Sequence, residues 1–257
     1  MDLPYFDLTG KVAIVTGGAT GIGRGIAEGL ADAGADIVIA ARRLEKCKAA
    51  CEEISNRTGV KTLPCQCDIT EKHDIHALVD GVLETFGHVD ILVNNSGSGG
   101  SERPILETDE EDWDNTVNTN LKAVFTLSKA VVGKMRDRGK GGKIINVASM
   151  GAIIAWPNMS AYSASKGGCV QLTKVMGLEW ARYNIQANAI LPGYFDTPMS
   201  KRLFSSDVGK KMIKERIPMR RLARIEEIKG LAILLASEAS NFMTGSAIVI
   251  DGGYICL

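Results

Sequence analysis

Val12-Ala13-Ile14-Val15-Thr16-Gly17-Gly18-Ala19-Thr20-Gly21-Ile22-Gly23 is the stretch that decides the fold. An apolar, β-branched run passes directly into a glycine-rich turn, and Ile22, Ile26 and Leu30 then recur every four residues along one stripe of a helix. Glycine permits a tight turn there and lets a pyrophosphate approach the backbone. The start of the helix offers unpaired N–H groups and partial positive charge to phosphates. Residues 16–23 match neither a P-loop, which ends in Gly-Lys-Ser/Thr, nor the GxGxxG fingerprint. A nucleoside triphosphatase is therefore disfavoured.

Outward from this turn, short strand-like runs alternate with longer helical patterns. The runs fall at residues 12–16, 36–41, 60–65, 89–94, 143–149, 185–191 and 247–251. Several are continuously apolar, as strands covered by helices on both faces should be. This alternation predicts an α/β chain: one doubly wound Rossmann domain over residues 1–257, with a seven-stranded parallel sheet flanked by helices. Thr108-Asp109-Glu110-Glu111 reads as a capping box that opens a helix near Thr108, continued by Trp113, Val117, Leu121, Val124 and Phe125. No repeat or linker divides the chain.

Composition narrows the function. Lys plus Arg and Asp plus Glu both total 30 in 257 residues, so there is no basic footprint for nucleic acid or an anionic membrane. No apolar run is long enough to span a bilayer, and the N-terminus is unlike a signal peptide. A cytoplasmic protein is expected, and the six cysteines, with no CxxC pair, are expected to stay reduced there. Cys65, Cys67, His73 and His76 could be read as a zinc set, but their spacing is incomplete, and no metal is expected.

The end of the second strand bears on cofactor choice. An acidic residue there would bond the free ribose 2′-hydroxyl of NAD, whereas Ala40-Ala41-Arg42-Arg43 offers guanidinium groups suited to a 2′-phosphate. NADP(H) is therefore expected to be preferred, with NAD(H) possible. Farther on, Tyr162-Ser163-Ala164-Ser165-Lys166 places a phenol and an ammonium on one helical face. An adjacent ammonium favours phenolate, so Tyr162 is expected to have a lowered pKa and to pass a proton while hydride moves. Ser149, at a strand end, supplies a hydrogen bond for the substrate oxygen. As a hydrolytic nucleophile it lacks the GxSxG context, because Val147 stands where the first glycine would be.

Together these residues resemble the short-chain dehydrogenase/reductase family along almost the whole chain. The family's TGxxxGxG turn is residues 16–23, its adenine-contacting aspartate is similar to Asp68 with Ile69 beside it, and its NNAG strand end is Asn94-Asn95-Ser96-Gly97, with serine for alanine. Its catalytic set falls on Asn120, Ser149, Tyr162 and Lys166, and its PGxxxT element on Pro192, Gly193 and Thr197. The resemblance implies that Tyr162 is the general acid/base and that Ser149 orients the substrate oxygen. Lys166 would bind the nicotinamide ribose and lower the Tyr162 pKa, while Asn120 would hold a water for proton relay. Gly17, Ala19, Thr20, Gly21, Ile22 and Gly23 would cradle the cofactor. Asn94, Ser96 and Gly97 would border the nicotinamide ribose, and Pro192, Gly193 and Thr197 the nicotinamide itself. Thr20 stands where some NADP-preferring members carry a basic residue, so the preference rests on Arg42.

Within the family, residues 6–11, 156–162 and 217–221 and the Asp251-Gly252-Gly253 phrase resemble gluconate 5-dehydrogenase-like and 3-oxoacyl-carrier-protein reductase-like members. The resemblance thus implies an oxidoreductase for a secondary alcohol and a ketone, with a sugar acid as one substrate class. A 3-oxoacyl thioester or cyclic ketone is the alternative, and a non-catalytic dinucleotide sensor is a further one. Substrate is expected to meet residues 98–103, 150–156 and a loop with helices around 194–216, where Arg103, Lys201 or Arg202 could bind a carboxylate. The family's usual homotetramer is expected as well.

Overall fold

The structure is a computed structural model, and it describes residues 4–197, 200–201 and 204–256. Pro198, Met199, Arg202 and Leu203 fall outside the described residues, and with them the expectation placed on Arg202. Seven strands form one sheet in the order β3-β2-β1-β4-β5-β6-β7. They are β1 Val12–Thr16, β2 Asp36–Ala41, β3 Thr62–Gln66, β4 Ile91–Asn94, β5 Gly142–Val147, β6 Ile185–Pro192 and β7 Ala247–Ile250. Every pairing is parallel, from Ile37↔Thr62 at one edge to Pro192↔Ile250 at the other. The order reverses at β1, where the connection to β2 runs one way and β4 lies on the other side. That is the switch point at which such sheets open a crevice for ligands.

The two-residue period of β1 explains the layers. Val12 and Ile14 face a core with Leu78, Val82, Leu127, Val131 and Met176, whereas Ala13 and Val15 face Ile26, Leu30, Ile54, Ala232 and Leu235. The first core lies under α3 (Lys72–Phe86), α5 (Ala123–Arg138) and α6 (Ser160–Trp180). The second lies under α1 (Gly21–Asp32), α2 (Leu44–Thr58) and the last helix, Lys229–Ala236. Among the described residues, α4 (Glu110–Val117) and α7 (Asp207–Arg216) come between these, and Lys229–Ala236 is α8.

Three local expectations are corrected. The third strand starts at Thr62, two residues late, because Gly59 ends α2 in the left-handed region and the Val60 carbonyl accepts the Ser55 hydroxyl at 3.0 Å. Pro64 is tolerated in β3 because β3 is an edge strand. β5 stops at Val147: Ser149 leaves the sheet to cap a short turn, accepting the Gly151 N–H at 3.1 Å. Thr108 does not cap a helix. Its hydroxyl donates back to the Pro104 carbonyl at 3.1 Å, and α4 begins at Glu110 with Asp109 before it.

The helix expected to continue smoothly from there is interrupted by a π-helical turn, Asn118–Lys122. Among the described residues, no helix is long and apolar enough to cross a membrane, and no His, Cys, Asp or Glu group of three or more is arranged to hold a metal.

Candidate active site

The glycine turn is locked to the end of β4 by Thr16. Its hydroxyl accepts the backbone N–H of Asn95 at 2.9 Å and that of Ser96 at 3.1 Å, while the Asn95 amide donates to the Thr16 carbonyl at 2.9 Å. Gly17 has φ +64°, and a Cβ at Gly23 would run into the Asn95 amide and lie 2.5 Å from the Gly17 carbonyl oxygen. Only glycine allows the helix to start so close to the turn. Gly21, also at positive φ, faces the Thr197 methyl group, 3.5 Å from where its Cβ would be.

A cleft of about 750 Å³ opens at this sheet edge. Of the expected cofactor residues, Gly17, Arg42, Arg43, Asp68, Ile69, Ser96 and Gly97 line it. Ala19, Thr20, Gly21, Ile22 and Gly23 shape the turn beside it, and Pro192, Gly193 and Thr197 lie beyond, at the end of β6. Arg42 and Arg43 are exposed. Asp68 accepts the Thr70 N–H at 3.0 Å and the Thr70 hydroxyl at 2.7 Å. The backbone bond from Thr70, the hydroxyl bond and the Arg42 charge hold its carboxyl below the ordinary range. Glycine-lined backbone at one end and two guanidinium groups at the other are the donor set that a phosphorylated dinucleotide needs, so the residues fit that group.

Asn94 is corrected. It is 4% exposed, and its amide donates inward to Ser128 at 2.9 Å and Asn146 at 2.8 Å instead of toward the cleft. Asn146 in turn donates to Thr173 on α6 at 2.9 Å, which ties β4, β5, α5 and α6 into one buried polar network. The neighbour, Asn95, is the residue that braces the turn. Asn118, Thr119 and Lys122 also line the cleft, and sequence reasoning missed them, because no helical periodicity marks a π turn.

The four expected catalytic residues come from three elements that converge on the ends of β5 and β6. Ser149 follows β5, Tyr162 and Lys166 sit one turn apart on α6, and Asn120 is in the π turn. Lys166 is 6% exposed and donates to the Val147 carbonyl at 3.0 Å. A Cβ at Gly97 would lie 3.5 Å from the Lys166 nitrogen and 3.0 Å from Asn120 Oδ1, so this glycine joins the cleft to the catalytic set.

Asn120 is fully buried. Its amide donates to the Ser98 carbonyl at 2.8 Å and to Ser165 at 3.1 Å, and its oxygen accepts the Ser98 N–H at 2.8 Å. Both amide hydrogens are committed to protein groups, so the side chain clamps Ser98.

The electrostatics also differ from expectation. Burial raises the Tyr162 phenol, and the Ser149 hydroxyl acts against that rise. Burial likewise lowers Lys166. Desolvation, which penalises either charge, sets both directions, in contrast to the lowering at Tyr162 expected from spacing alone. Toward the substrate side, Arg103 is paired with Asp109 at 2.8 Å, and Lys201 lies 3.9 Å from Asp196.

The family model described as Enoyl-(Acyl carrier protein) reductase matches residues 17–255. The 2-dehydro-3-deoxy-D-gluconate 5-dehydrogenase of Escherichia coli (strain K12) is 40% identical over 255 residues, 99% of each chain. Among solved structures, a short-chain type dehydrogenase/reductase from Mycobacterium marinum is 38% identical with a TM-score of 0.93, covering 99% of each chain. A gluconate 5-dehydrogenase from Burkholderia cenocepacia J2315, in complex with NADP and tartrate, is 37% identical with a TM-score of 0.93, covering 98% of each. Likeness that runs the length of the chain, in sequence and in the sheet alike, makes this protein a member of the short-chain dehydrogenase/reductase family.

Proposed function

We propose that this protein is an NADP(H)-dependent oxidoreductase that interconverts a secondary alcohol and a ketone on a sugar acid, with Tyr162 as the acid/base. The observation that carries this reading is the placement of Tyr162, Lys166 and Ser149 beside a glycine-lined cleft whose far end bears Arg42 and Arg43. The substrate class is carried over from the Escherichia coli and Burkholderia relatives, whose names specify sugar acids.

In this reading Gly17, Ser96 and Gly97 would let the pyrophosphate and ribose approach the backbone, Asp68 and Ile69 would hold the adenine, and Arg42 with Arg43 would bond the 2′-phosphate. A nicotinamide bound there would supply the hydride chemistry of the reaction. Ser149 donates a hydrogen bond to the substrate oxygen and fixes it against Tyr162. In ketone reduction the Tyr162 hydroxyl gives its proton to that oxygen, and in alcohol oxidation the phenolate takes it back. Lys166, held by Val147, supplies positive charge on the same helical face, and Asn120 fixes the Ser98 backbone that borders it. Residues 194–216 are assigned to substrate binding.

A homotetramer is supported by exposed apolar side chains on the outer helix faces, Phe125 (49%), Val175 (42%) and Leu178 (81%). Six free cysteines agree with a reducing cytoplasm. The test is NADPH oxidation across a panel of ketones that includes 5-keto-D-gluconate. Turnover of a keto acid is expected. Tight NADPH binding with no turnover of any carbonyl would replace this reading with the dinucleotide-sensor alternative.

A further inference from the structure

Four aromatic rings meet just past the C-terminal end of β6. Tyr194, just past the end of β6, lies 4.9 Å from Phe204 at 77°, 5.5 Å from Tyr254 at 73° and 6.4 Å from Trp156 at 45°, centroid to centroid. The first two pairs are edge-to-face, the favoured arrangement for aromatic rings. Tyr194 thus packs against three other rings.

Two members of this group, Trp156 and the central Tyr194, lie beside the expected catalytic set. The Trp156 ring lies over Gly151, where a Cβ would collide with it, and Gly151 is the residue whose N–H donates to Ser149. Tyr194 is near enough to Tyr162 to feel its charge. Burial, then Tyr254, then Tyr162 push the Tyr194 phenol above its ordinary range.

Tyr254 reaches this place because β7 runs parallel to β6, so both strands deliver their C-terminal ends to one edge. Asp251 then folds the chain back: one carboxylate oxygen accepts the Gly253 N–H at 2.8 Å, and the other accepts the Ile255 N–H at 2.9 Å. A Cβ at Gly193 would lie 2.6 Å from the Asp251 Cα, so the turn after β6 is pressed directly on the turn after β7.

We propose that Tyr254 is a specificity-determining residue. With Tyr194 and Trp156 it builds an aromatic wall that stacks on the C–H face of a compact substrate, a ring or a short folded carbon chain, and disfavours an extended acyl chain. The proposal rests on the reading of Tyr162 as the acid/base, because the wall is defined by its position beside that phenol. It gives the Asp251-Gly252-Gly253-Tyr254 phrase a task in substrate choice.

The test compares full-length wild type with Tyr254→Ala and Tyr254→Phe in NADPH-dependent reduction of cyclohexanone, 5-keto-D-gluconate and an acetoacetyl thioester. Tyr254→Ala is expected to raise KM for the ring or sugar-acid ketone about tenfold, with kcat and the NADPH KM much less affected. Tyr254→Phe keeps the ring and stays near wild type. The thioester KM stays level or falls.

An unchanged KM for the compact ketones in Tyr254→Ala overturns the proposal, as does a wild type that prefers the thioester. If Tyr254→Ala does not bind NADPH, Tyr254→Leu takes its place with the same expectations. A wild type that reduces none of the three defeats the acid/base reading separately. The wall is then judged by binding: a saturable tryptophan-fluorescence change with cyclohexanone or 5-keto-D-gluconate, weakened in Tyr254→Ala, upholds it, and no saturable change refutes it.

Discussion

Lys166 holds its ammonium 5.9 Å from the centre of the Tyr162 ring, one turn away on α6. The lysine is not free to swing closer, since its nitrogen donates to the Val147 carbonyl at 3.0 Å. The strand that leads to Ser149 therefore also fixes the cation, through the carbonyl of its last residue, Val147. Burial alone disfavours phenolate at Tyr162, as it disfavours the ammonium at Lys166. In the proposed mechanism this burial favours Tyr162 as a proton donor.

Replacing Tyr162 with phenylalanine removes only the hydroxyl and leaves the partly buried ring in place. Proton transfer by a positioned group is worth roughly 10²–10⁴ in rate, so kcat should fall by about that factor while NADPH binding persists. Turnover within about tenfold of wild type in steady-state assays would remove Tyr162 from the proton-transfer step.

The pH profile follows from the same raised phenol. Reduction needs protonated Tyr162, so it should hold through neutral pH and decline only in alkaline solution, while oxidation should rise through the same apparent pKa. Ser149 is the group that opposes the rise at Tyr162. Ser149→Ala should therefore slow the reaction and also move both limbs to higher pH. A profile of log kcat/KM against pH checks the sign, and a downward displacement contradicts it.

How much of this was legible in the sequence depended on whether local pattern or burial decided the outcome. The run into Gly17 and Gly21 announced both β1 and the turn, because a strand-to-helix passage this tight requires positive φ. The i, i+4 spacing of Tyr162 and Lys166 placed them on one face of α6. Asn94 was misread because its motif said which strand end it marks but not which way its side chain points, and pairing with Ser128 and Asn146 settled that. The π turn around Asn120 left no trace, since a single widened turn keeps nearly the apolar spacing of an α-helix. The direction of the Tyr162 shift was lost for a related reason: spacing reports the lysine, while desolvation depends on the whole surround.

Arg42 is the residue on which the proposed preference for NADP(H) rests. It is exposed at the mouth of the cleft, where its charge is felt by Asp68. A hydrogen bond to a charged group contributes about 1.5–3 kcal/mol, so Arg42→Ala should lower kcat/KM for NADPH roughly 10–100-fold and change that for NADH far less. Parallel assays with both cofactors decide the matter. Equal losses for the two would assign Arg42 to general phosphate attraction and not to the 2′-phosphate.

At the opposite end of β5 from Ser149, Lys143 is almost fully buried, at 8% exposure, and its ammonium donates to neutral partners, Asn241 at 2.9 Å and Ser240 at 3.2 Å. Burial pulls its pKa from 10.5 down to about 8, with Glu238 opposing and Lys11 adding to the drop. Between those values the unfolded chain binds a proton that the folded chain does not, so stability from this group grows as pH rises and is lost as pH falls through about 8. At neutral pH the charged side chain is held at a penalty of about 3 kcal/mol at most, partly offset by its two hydrogen bonds. Lys143→Met keeps the length and packs without a charge, so it should stabilise the fold by about 1–2 kcal/mol at pH 7. That advantage should shrink toward zero by pH 10, as wild type sheds the proton while folded. Urea denaturation at pH 7, 8.5 and 10 measures the gap directly. A gap that stays constant or widens with pH would show that the ammonium is not held against its solvation, and that the hydrogen bonds to Ser240 and Asn241 outweigh its burial.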